Sequence, residues 1–337
     1  MGSIASISHR DCNHAIRDLD LGSQKARLTQ FGLIEIKGQE VSKFLQSLVT
    51  SDVKQINPEH GQFSSWCDGK GRVQAAFWLI PLEDAIYLVT PKDMVESLIT
   101  RLQMFVLRTK VTLRNASADM ALLGLFGPFL VPASSDSIKL PDISGAVIRV
   151  SDCALMLLPG AGPLRYLALG SKENIEQLSC GVFTNLPEAS ECIWSLLDIV
   201  AGIPRVGTLT AGEFIPQMLS LEALGALSFT KGCYPGQEVV ARLQYRGQLK
   251  RRIYRAIIEA NEVPLSGTRL ASPDSQESVG QVLAAERLGS TTVLVQVVVV
   301  IERKESNGVY LASLEGPQLV FESNEGMPQF GEALNGQ

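Results

Sequence analysis

The sequence predicts an α+β protein in which a long mixed region of helices and strands is followed by an all-β domain. Amphipathic helical segments alternate with short apolar runs over residues 31–248. Beyond Leu249 the helical period is lost, and strand-like runs are separated by Gly, Pro, Ser and Asn, as in a small barrel. With 337 residues, 45% hydrophobic and 19% charged, the chain is long enough for two or three globular units.

The first elements follow a charged N-terminal segment. Residues 1–30 contain no apolar run of the signal-peptide type and carry acidic residues that a transit peptide avoids, so we expect a flexible extension. A strand is predicted at 33–36 and ends at Gly38. An amphipathic helix ending near Asp52 follows, because one helical face collects the apolar side chains Val41, Phe44, Leu45, Leu48 and Val49.

A hairpin and a second helix come next. Strands are predicted at 64–67, 73–80 and 85–89, and the turn-rich segment Asp68-Gly69-Lys70-Gly71 joins the first two. Thr90 then offers an N-cap hydroxyl and Pro91 a residue suited to the first helical position. The sequence therefore predicts a helix from this point to about Leu107.

The remaining elements divide into a second subdomain, a linking helix and the all-β domain. The second subdomain is expected at about 111–185, with strands near 111–113, 121–126, 146–150 and 154–158. A helix at 187–201 is stopped by Gly202 and Pro204. The β-barrel domain is expected at 249–330, with strands near 252–259, 279–285, 292–301, 309–312 and 318–322.

Composition narrows the class of protein. The formal charge of −5 gives no global reason to expect a polyanionic partner. The six cysteines include no CxxC pair, so we predict free thiols in a reducing compartment, the cytoplasm, and no metal site. The longest apolar stretches are too short to span a bilayer, so no membrane partner is expected.

One segment combines a cysteine with turn residues and a lysine. Gly232, Pro235 and Gly236 surround Cys233, so the backbone is suited to a turn or to close approach to a ligand. If residues 231–233 are extended, Lys231 and Cys233 share a face, and the ammonium would favour a nucleophilic thiolate. The alternative is that Cys233 is a small core residue at a tight turn.

A run of cations follows this segment. It contains six basic residues and no acid between positions 242 and 255, namely Arg242, Arg246, Lys250, Arg251, Arg252 and Arg255. Such a run can bind carboxylates, phosphates or a nucleic acid backbone. It can equally be a solvated strand edge protected against aggregation.

These residues carry a family resemblance. Lys231-Gly232-Cys233-Tyr234-Pro235-Gly236-Gln237-Glu238 resembles the K-G-C-[YF]-x-G-Q-E signature of the YgfZ family of folate-binding proteins, relatives of the glycine-cleavage T-protein. Further similar segments stand at 44–46, 52–53, 69–72, 201–204, 213–218 and 241–247. The resemblance runs from about Phe31 to Arg255. Ser51 and the segment Ser220-Leu221-Glu222 depart from the family's usual T-N-D and N-L-D.

The resemblance implies two interleaved α/β subdomains and a C-terminal β-barrel around a tetrahydrofolate site. It also implies a role as an accessory protein in making or repairing iron-sulfur enzymes, including tRNA-modifying ones, with folate and these client enzymes as partners. Cys233 would be the essential group and Lys231 its activator.

The cofactor-binding candidates come from the signature and the cationic run. Tyr234 could supply an aromatic wall, Gly236 close backbone approach, and Gln237 or Glu238 contacts to the polar edge of the pterin. The guanidinium groups of Arg242 and Arg246 could hold the glutamate tail of folate.

Two other functions remain open. A tetrahydrofolate-dependent aminomethyltransferase, like the T-protein, is disfavoured because Lys70-Gly71-Arg72-Val73-Gln74 lacks the Asp pair that T-proteins place after this turn. A non-catalytic, folate-sensing module could use its basic segment on RNA or on a protein. The acidic total charge and the absence of an aromatic stacking series argue against direct RNA binding.

Overall fold

The computed structural model describes residues 21–106, 109–128, 138–305 and 308–322, which form three antiparallel sheets flanked by short helices. The strands are β1 (Gln24–Arg27), β2 (Phe31–Lys37), β3 (Gln62–Cys67), β4 (Val73–Leu82), β5 (Ala85–Pro91), β6 (Thr112–Asn115), β7 (Met120–Phe126), β8 (Val147–Val150), β9 (Cys153–Leu157), β10 (Arg165–Ser171), β11 (Arg251–Glu259), β12 (Arg269–Ser272), β13 (Ser275–Arg287), β14 (Thr292–Val300), β15 (Tyr310–Leu311) and β16 (Val320–Phe321). The predicted α+β class is confirmed.

The helices are short and lie mainly between the strands. They are α1 (Val41–Gln46), α2 (Val95–Gln103), α3 (Lys172–Gln177), α4 (Glu191–Val200), α5 (Gln237–Arg246) and α6 (Ile301–Glu305). The 3₁₀ turns are Val53–Gln55, Lys92–Met94 and Pro216–Leu219, and a π-helical turn follows α3 at Leu178–Val182. In the described ranges no helix combines the length and the apolar character needed to cross a membrane.

The first sheet has the strand order β3-β4-β5-β2-β6, and helices α1 and α2 cover one of its faces. Strand β4 shows how the sequence defines both faces. Phe77 and Leu79 pack toward the two helices, whereas Trp78 and Ile80 join the central core shared with the other sheets. A strand buried on both faces requires the nearly continuous apolar run found here.

Both helices of this region are shorter than predicted. Helix α1 ends at Gln46, although Leu48 and Val49 beyond it are still buried. Thr90 and Pro91 belong to β5 and pair with Gly32 and Phe31, so the following α-helix starts only at Val95. Pairing of β5 with β2 outcompetes the local capping signal, because each extra strand residue adds cross-strand contacts.

The second sheet has the order β1-β7-β10-β9-β8, and its edge strand comes from the segment before the first sheet. The flexible extension was expected over 1–30, but Gln24–Arg27 pairs with β7 and residues 1–20 lie outside the described residues. The ammonium of Lys25 is buried and donates to the carbonyl oxygens of Ser179 and Phe183, at 2.8 and 3.1 Å. These bonds compensate its desolvation.

The border of the second subdomain also differs from the expected residue 111. Strand β6, Thr112–Asn115, pairs with β2 and completes the first sheet, so the chain crosses to the second sheet only at β7. Since β1 belongs to the second sheet and β2 to the first, the two sheets are interleaved along the chain.

The third sheet is the curled sheet of the C-terminal domain, ordered β15-β12-β13-β14-β11-β16. A register shift between Val282 and Ala284 bends the long strand β13, as a β-bulge does. Backbone hydrogen bonds from Leu311 to Pro317 and from Leu319 to Val309 bring the two edge strands together. The predicted all-β character beyond Leu249 is confirmed, apart from the single turn of α6.

Helix α4 lies between the second and the third sheet. It packs against β1, β13 and β14, and its Asp198 lies between two arginines, 2.5 Å from Nη1 of Arg165 and 3.1 Å from Nη2 of Arg205. Arg165 is buried, so the carboxylate of Asp198 compensates a charge that would otherwise be desolvated without a partner.

Candidate functional site

The candidate site is the place where the signature segment 231–238 meets the first sheet. The Nζ atom of Lys231 donates to the carbonyl oxygens of Val49 and Ser51, at 2.7 and 2.8 Å, just beyond helix α1. A neighbouring hydrogen bond runs from the hydroxyl of Thr50 to the carbonyl of Ala226, at 2.6 Å. Hydrogen bonds at the consecutive residues 49–51 therefore hold the segment after α1 to the segment 226–231, which is far away in sequence.

Burial governs the electrostatics of Lys231. The residue is only 8% exposed, and this desolvation lowers the pKa of its ammonium to about 8, although the nearby Asp52 favours the charged form. The same ammonium lies 5.4 Å from the ring centroid of Tyr234. Through two carbonyl acceptors and one ring face, Lys231 holds this loop in position. Its role as activator of Cys233 stays a prediction.

Gly236 fits against the β3–β4 hairpin turn. Its φ of +78° is in the left-handed region, and a Cβ atom there would lie 2.5 Å from the carbonyl oxygen of Asp68 and 2.5 Å from the backbone of Gly71. Gly71 in turn faces Val239 and Val240 of helix α5. Gly236 thus approaches the backbone of the hairpin closely, and the predicted approach to folate stays a prediction.

Cys233 is exposed and opens into a groove. The groove has a volume of about 590 Å³ and is lined by Gly232, Cys233, Lys54 and polar residues at the start and outer side of α1, including Glu40 and Lys43. Lys43 pairs with Glu40 at 3.1 Å, whereas within the described part of the chain the ammonium of Lys54 has no acid at ion-pair distance. The thiol therefore opens into a solvent-accessible groove whose charged lining side chains are two lysines and one glutamate.

Tyr234 points inward, opposite to Cys233. It is 6% exposed, and its hydroxyl oxygen is buried with no hydrogen-bond partner among the described residues. Burial raises the pKa of this phenol well above its usual range. Burying a hydroxyl without a hydrogen-bond partner costs free energy. The hydroxyl of Tyr234 is therefore suited to bind a polar group of a ligand that reaches the interior.

The other predicted contacts lie on or near helix α5. Gln237 is half-buried, with Nε2 3.5 Å from the carbonyl oxygen of Lys231, and Glu238 and Arg242 are exposed, one turn apart. Arg246 is the last residue of this helix. The structure thus separates the predicted site residues into an inward set, Lys231, Tyr234 and Gly236, and an outward set, Cys233, Glu238 and Arg242.

Glu222 was noted in the sequence only as a departure from a motif, yet it has the most unusual environment near the site. Both carboxyl oxygens are shielded from solvent and lack hydrogen-bond partners among the described residues. Desolvation raises the pKa of this carboxyl to about 7, against smaller opposing effects from the residue's own backbone N–H and from Arg252. The sequence contained one sign of this environment. Glu222 is the only charged residue in the largely apolar stretch 219–227, and acidic side chains are rarely buried in such stretches.

Lys54 is a second residue that the sequence analysis missed. It shares the groove with Cys233, although 178 residues of intervening chain give no local sign of that proximity. In the described ranges the structure shows no cluster of three or more His, Cys, Asp or Glu side chains arranged for a metal ion.

Comparison with known families and structures gives the class of the protein. The family described as GCVT N-terminal domain matches residues 25–131. The crystal structure of the glycine cleavage system aminomethyltransferase T from Bartonella henselae superposes with a TM-score of 0.66 at 13% identity, covering 92% of this chain and 87% of that one. Two interleaved sheets followed by a curled β domain therefore define a protein with the T-protein fold.

Sequence relatives identify the family within this class. The chain is 36% identical to the tRNA-modifying protein YgfZ of Colwellia psychrerythraea over 229 residues, 67% of this chain and 69% of the relative. It is 32% identical to that of Photorhabdus laumondii, over 80% of this chain and 82% of the relative, and 30% identical to that of Klebsiella pneumoniae, over 80% and 83%. The chain belongs to the YgfZ family.

Proposed function

We propose that this protein binds tetrahydrofolate and acts as an accessory protein for iron-sulfur enzymes, including those that modify tRNA. The family membership and the T-protein fold support a folate-related role. The observation that carries the proposal is the buried carboxyl of Glu222, whose two oxygens have no partner among the described residues.

The chemistry of a pterin fits this carboxyl. One edge of a pterin ring presents adjacent N–H donors, and a carboxylate accepts such a pair in a bidentate manner. Donors on both oxygens would stabilise the ionised form and lower the raised pKa of Glu222. The buried hydroxyl of Tyr234 offers a further polar contact.

Tetrahydrofolate, when bound, would supply or accept a one-carbon unit. The protein's own residues would bind and orient it: Glu222 and Tyr234 from the interior, and Arg242 of α5 toward the carboxylates of its glutamate tail, with Arg246 as the further contact that the sequence predicts.

Cys233 supplies the chemical reactivity in this proposal. Its thiol opens into the groove that also contains Lys54, whereas Lys231 fixes the backbone of the same loop through its carbonyl partners. A cation near a thiol favours the thiolate, which is the nucleophilic form. We therefore propose Cys233 as the reacting group, Lys54 as the cation of its surrounding and Lys231 as a positioning residue.

The folate step is tested by calorimetric titration with tetrahydrofolate. We expect Glu222→Gln to weaken binding by about 10- to 100-fold, because a charged acceptor for two donors is lost. Glu262→Gln, at an exposed glutamate outside the signature, is the matched control, and Glu238→Gln tests the rival contact predicted from the sequence. Binding lost in Glu238→Gln and kept in Glu222→Gln would contradict the assignment, and a wild-type protein that does not bind would remove folate from the function.

The cysteine step is tested in a bacterial strain lacking its own family member. The readout is the activity of an iron-sulfur enzyme that depends on the family. We expect Cys233→Ser to fail to restore activity and Cys192→Ser, a change at another exposed cysteine, to restore it. Full restoration by Cys233→Ser would refute a chemical role for this thiol.

The β3–β4 hairpin does not favour the aminomethyltransferase alternative. Asp68, the acid of this turn, accepts hydrogen bonds from the backbone N–H groups of Lys70 and Arg72, at 2.9 and 3.0 Å, and from Nε2 of Gln74 at 3.1 Å. Its carboxylate is thus used in shaping the turn. Ammonia release from an aminomethylated carrier protein would show that the alternative holds.

A further inference from the structure

A second cavity lies where the chain passes from the second sheet to the first. Its volume is about 430 Å³, within the range of small-molecule sites. The lining residues come from β1, β2, the Lys92–Met94 turn, β7 and α3. Both α/β sheets thus contribute walls, and boundaries between such units are frequent positions for ligand sites.

The floor of this cavity is apolar. It is formed by the side chains of Phe31, Leu33, Met120, Leu122 and Ile175. Leu33, Leu122 and Ile175 are almost fully buried in the protein core, whereas Phe31 and Met120 remain half-buried. Apolar area left accessible in a concavity gains free energy when an apolar body covers it.

The rim of the cavity is cationic. Arg27 pairs with Glu176 at 2.7 Å, so this guanidinium is already compensated. Lys92 and Lys172 also line the cavity, and within the described part of the chain neither ammonium has a carboxylate at ion-pair distance. The rim therefore carries two uncompensated positive charges above an apolar floor.

We propose that this cavity binds a small amphipathic anion, that is, an aromatic or aliphatic body carrying a carboxylate, phosphate or sulfonate group. The body would cover Phe31 and Met120, and the anionic group would lie between the ammonium groups of Lys92 and Lys172. This site is distinct from the proposed folate site, because the signature loop lies against the residues after α1 and against the β3–β4 hairpin.

The experiment is a calorimetric titration of the full chain with 8-anilinonaphthalene-1-sulfonate, an aromatic sulfonate of suitable size. One site per chain is expected, with a Kd of roughly 20 µM at the ligand efficiency usual for such molecules. Replacing both lysines, Lys92→Gln with Lys172→Gln, should weaken binding by about 10-fold or more, and added salt should weaken it further. Lys139→Gln, at an exposed lysine outside the cavity lining, is the matched control.

A second variant tests the floor independently of charge. Met120→Trp places a larger ring in the cavity and should abolish the binding while thermal unfolding stays cooperative. Wild-type affinity in either the double lysine variant or Met120→Trp would overturn the proposal, as would the absence of saturable binding to the wild type. Loss of the sulfonate signal in saturating tetrahydrofolate would overturn the claim of a separate site, whereas simultaneous binding of both supports it.

Discussion

The ammonium of Lys231 lies 2.7 Å from the carbonyl oxygen of Val49, a residue 182 positions away in the sequence. The signature segment is therefore held to the end of the first helix by a buried charge. The loop that carries Cys233 on its outer side owes its position to this contact and to the fit of Gly236 on the hairpin turn.

Lys231→Met should destabilise the protein by about 3 kcal/mol, because the change removes a charged donor from two carbonyl acceptors. Urea unfolding monitored by circular dichroism measures the loss. Lys70→Met, at an exposed lysine of the hairpin turn, is the control and should stay within about 0.5 kcal/mol of the wild type. Equal stability of the two variants would show that the buried bonds contribute no net stabilisation.

Gly236→Ala should cost about 2 to 4 kcal/mol, from the left-handed backbone and from the contact of a new Cβ with Asp68 and Gly71. Gly232→Ala, in the same segment, is the matched control. A Cβ atom at Gly232 would meet nothing within 4 Å, and the backbone there has no positive φ. Thermal unfolding of both variants gives the comparison. A Gly236→Ala protein as stable as Gly232→Ala would mean that the hairpin can move away.

Glu222→Gln should stabilise the free protein at pH 8 more than at pH 5. Folding raises the pKa of Glu222 from 4.5 to about 7, so the folded state binds more protons than the unfolded state between these values, and stability falls as pH rises through them. Removing the carboxyl abolishes a penalty of roughly 3 kcal/mol above pH 7. Urea unfolding at both pH values measures it, with Glu238→Gln as an exposed control that should show no such difference.

Four of the described cysteines should divide into two groups in reaction with iodoacetamide. Cys67 and Cys153 are fully buried, and desolvation raises the pKa of their thiols to about 12 and about 11, so they should react only after unfolding. Cys192 and Cys233 are exposed and should react in the native protein. Peptide mass spectrometry resolves the sites.

Alkylation of Cys233 also tests whether the nearby Lys54 acts on this thiol. With the anionic reagent iodoacetate in place of iodoacetamide, Lys54→Gln should slow alkylation of Cys233 severalfold, because the groove loses a cation that attracts the reagent. Cys192 in the same sample is the internal standard. An unchanged ratio of the two rates would remove Lys54 from the surrounding of the thiol.

The sequence predicted those parts of the fold that depend on local pattern. The hairpin around Asp68 and the β-rich region beyond Leu249 are signalled by turn residues and by periodicity, and both are confirmed. The start of α2 was wrong because pairing of Thr90 and Pro91 with β2 is a tertiary effect that the capping signal does not contain. The same holds for β1, whose polar sequence gave no sign that Lys25 is compensated by the carbonyl oxygens of Ser179 and Phe183, in and just after the π-helical turn.

The sequence predicted the candidate site only as a segment, and its part in binding folate stays a prediction. The division of this segment into inward and outward side chains depends on contacts with Val49, Ser51 and Gly71. The groove of Cys233 depends on Lys54, which no local pattern connects to the cysteine. The buried carboxyl of Glu222 depends on how the loops pack, which composition does not describe.

The position of β1 in the second sheet has a consequence for synthesis and for fragments of the chain. Gln24–Arg27 leaves the ribosome before the whole first sheet, yet its hydrogen-bonding partner is β7, Met120–Phe126, which follows that sheet. Strand β1 therefore stays unpaired until β7 has been synthesised. During that time its backbone can pair with other strands, which favours misfolding or aggregation. A fragment beginning at Phe31 would expose the unsatisfied backbone edge of β7, so the two sheets are one folding unit and neither can be removed cleanly.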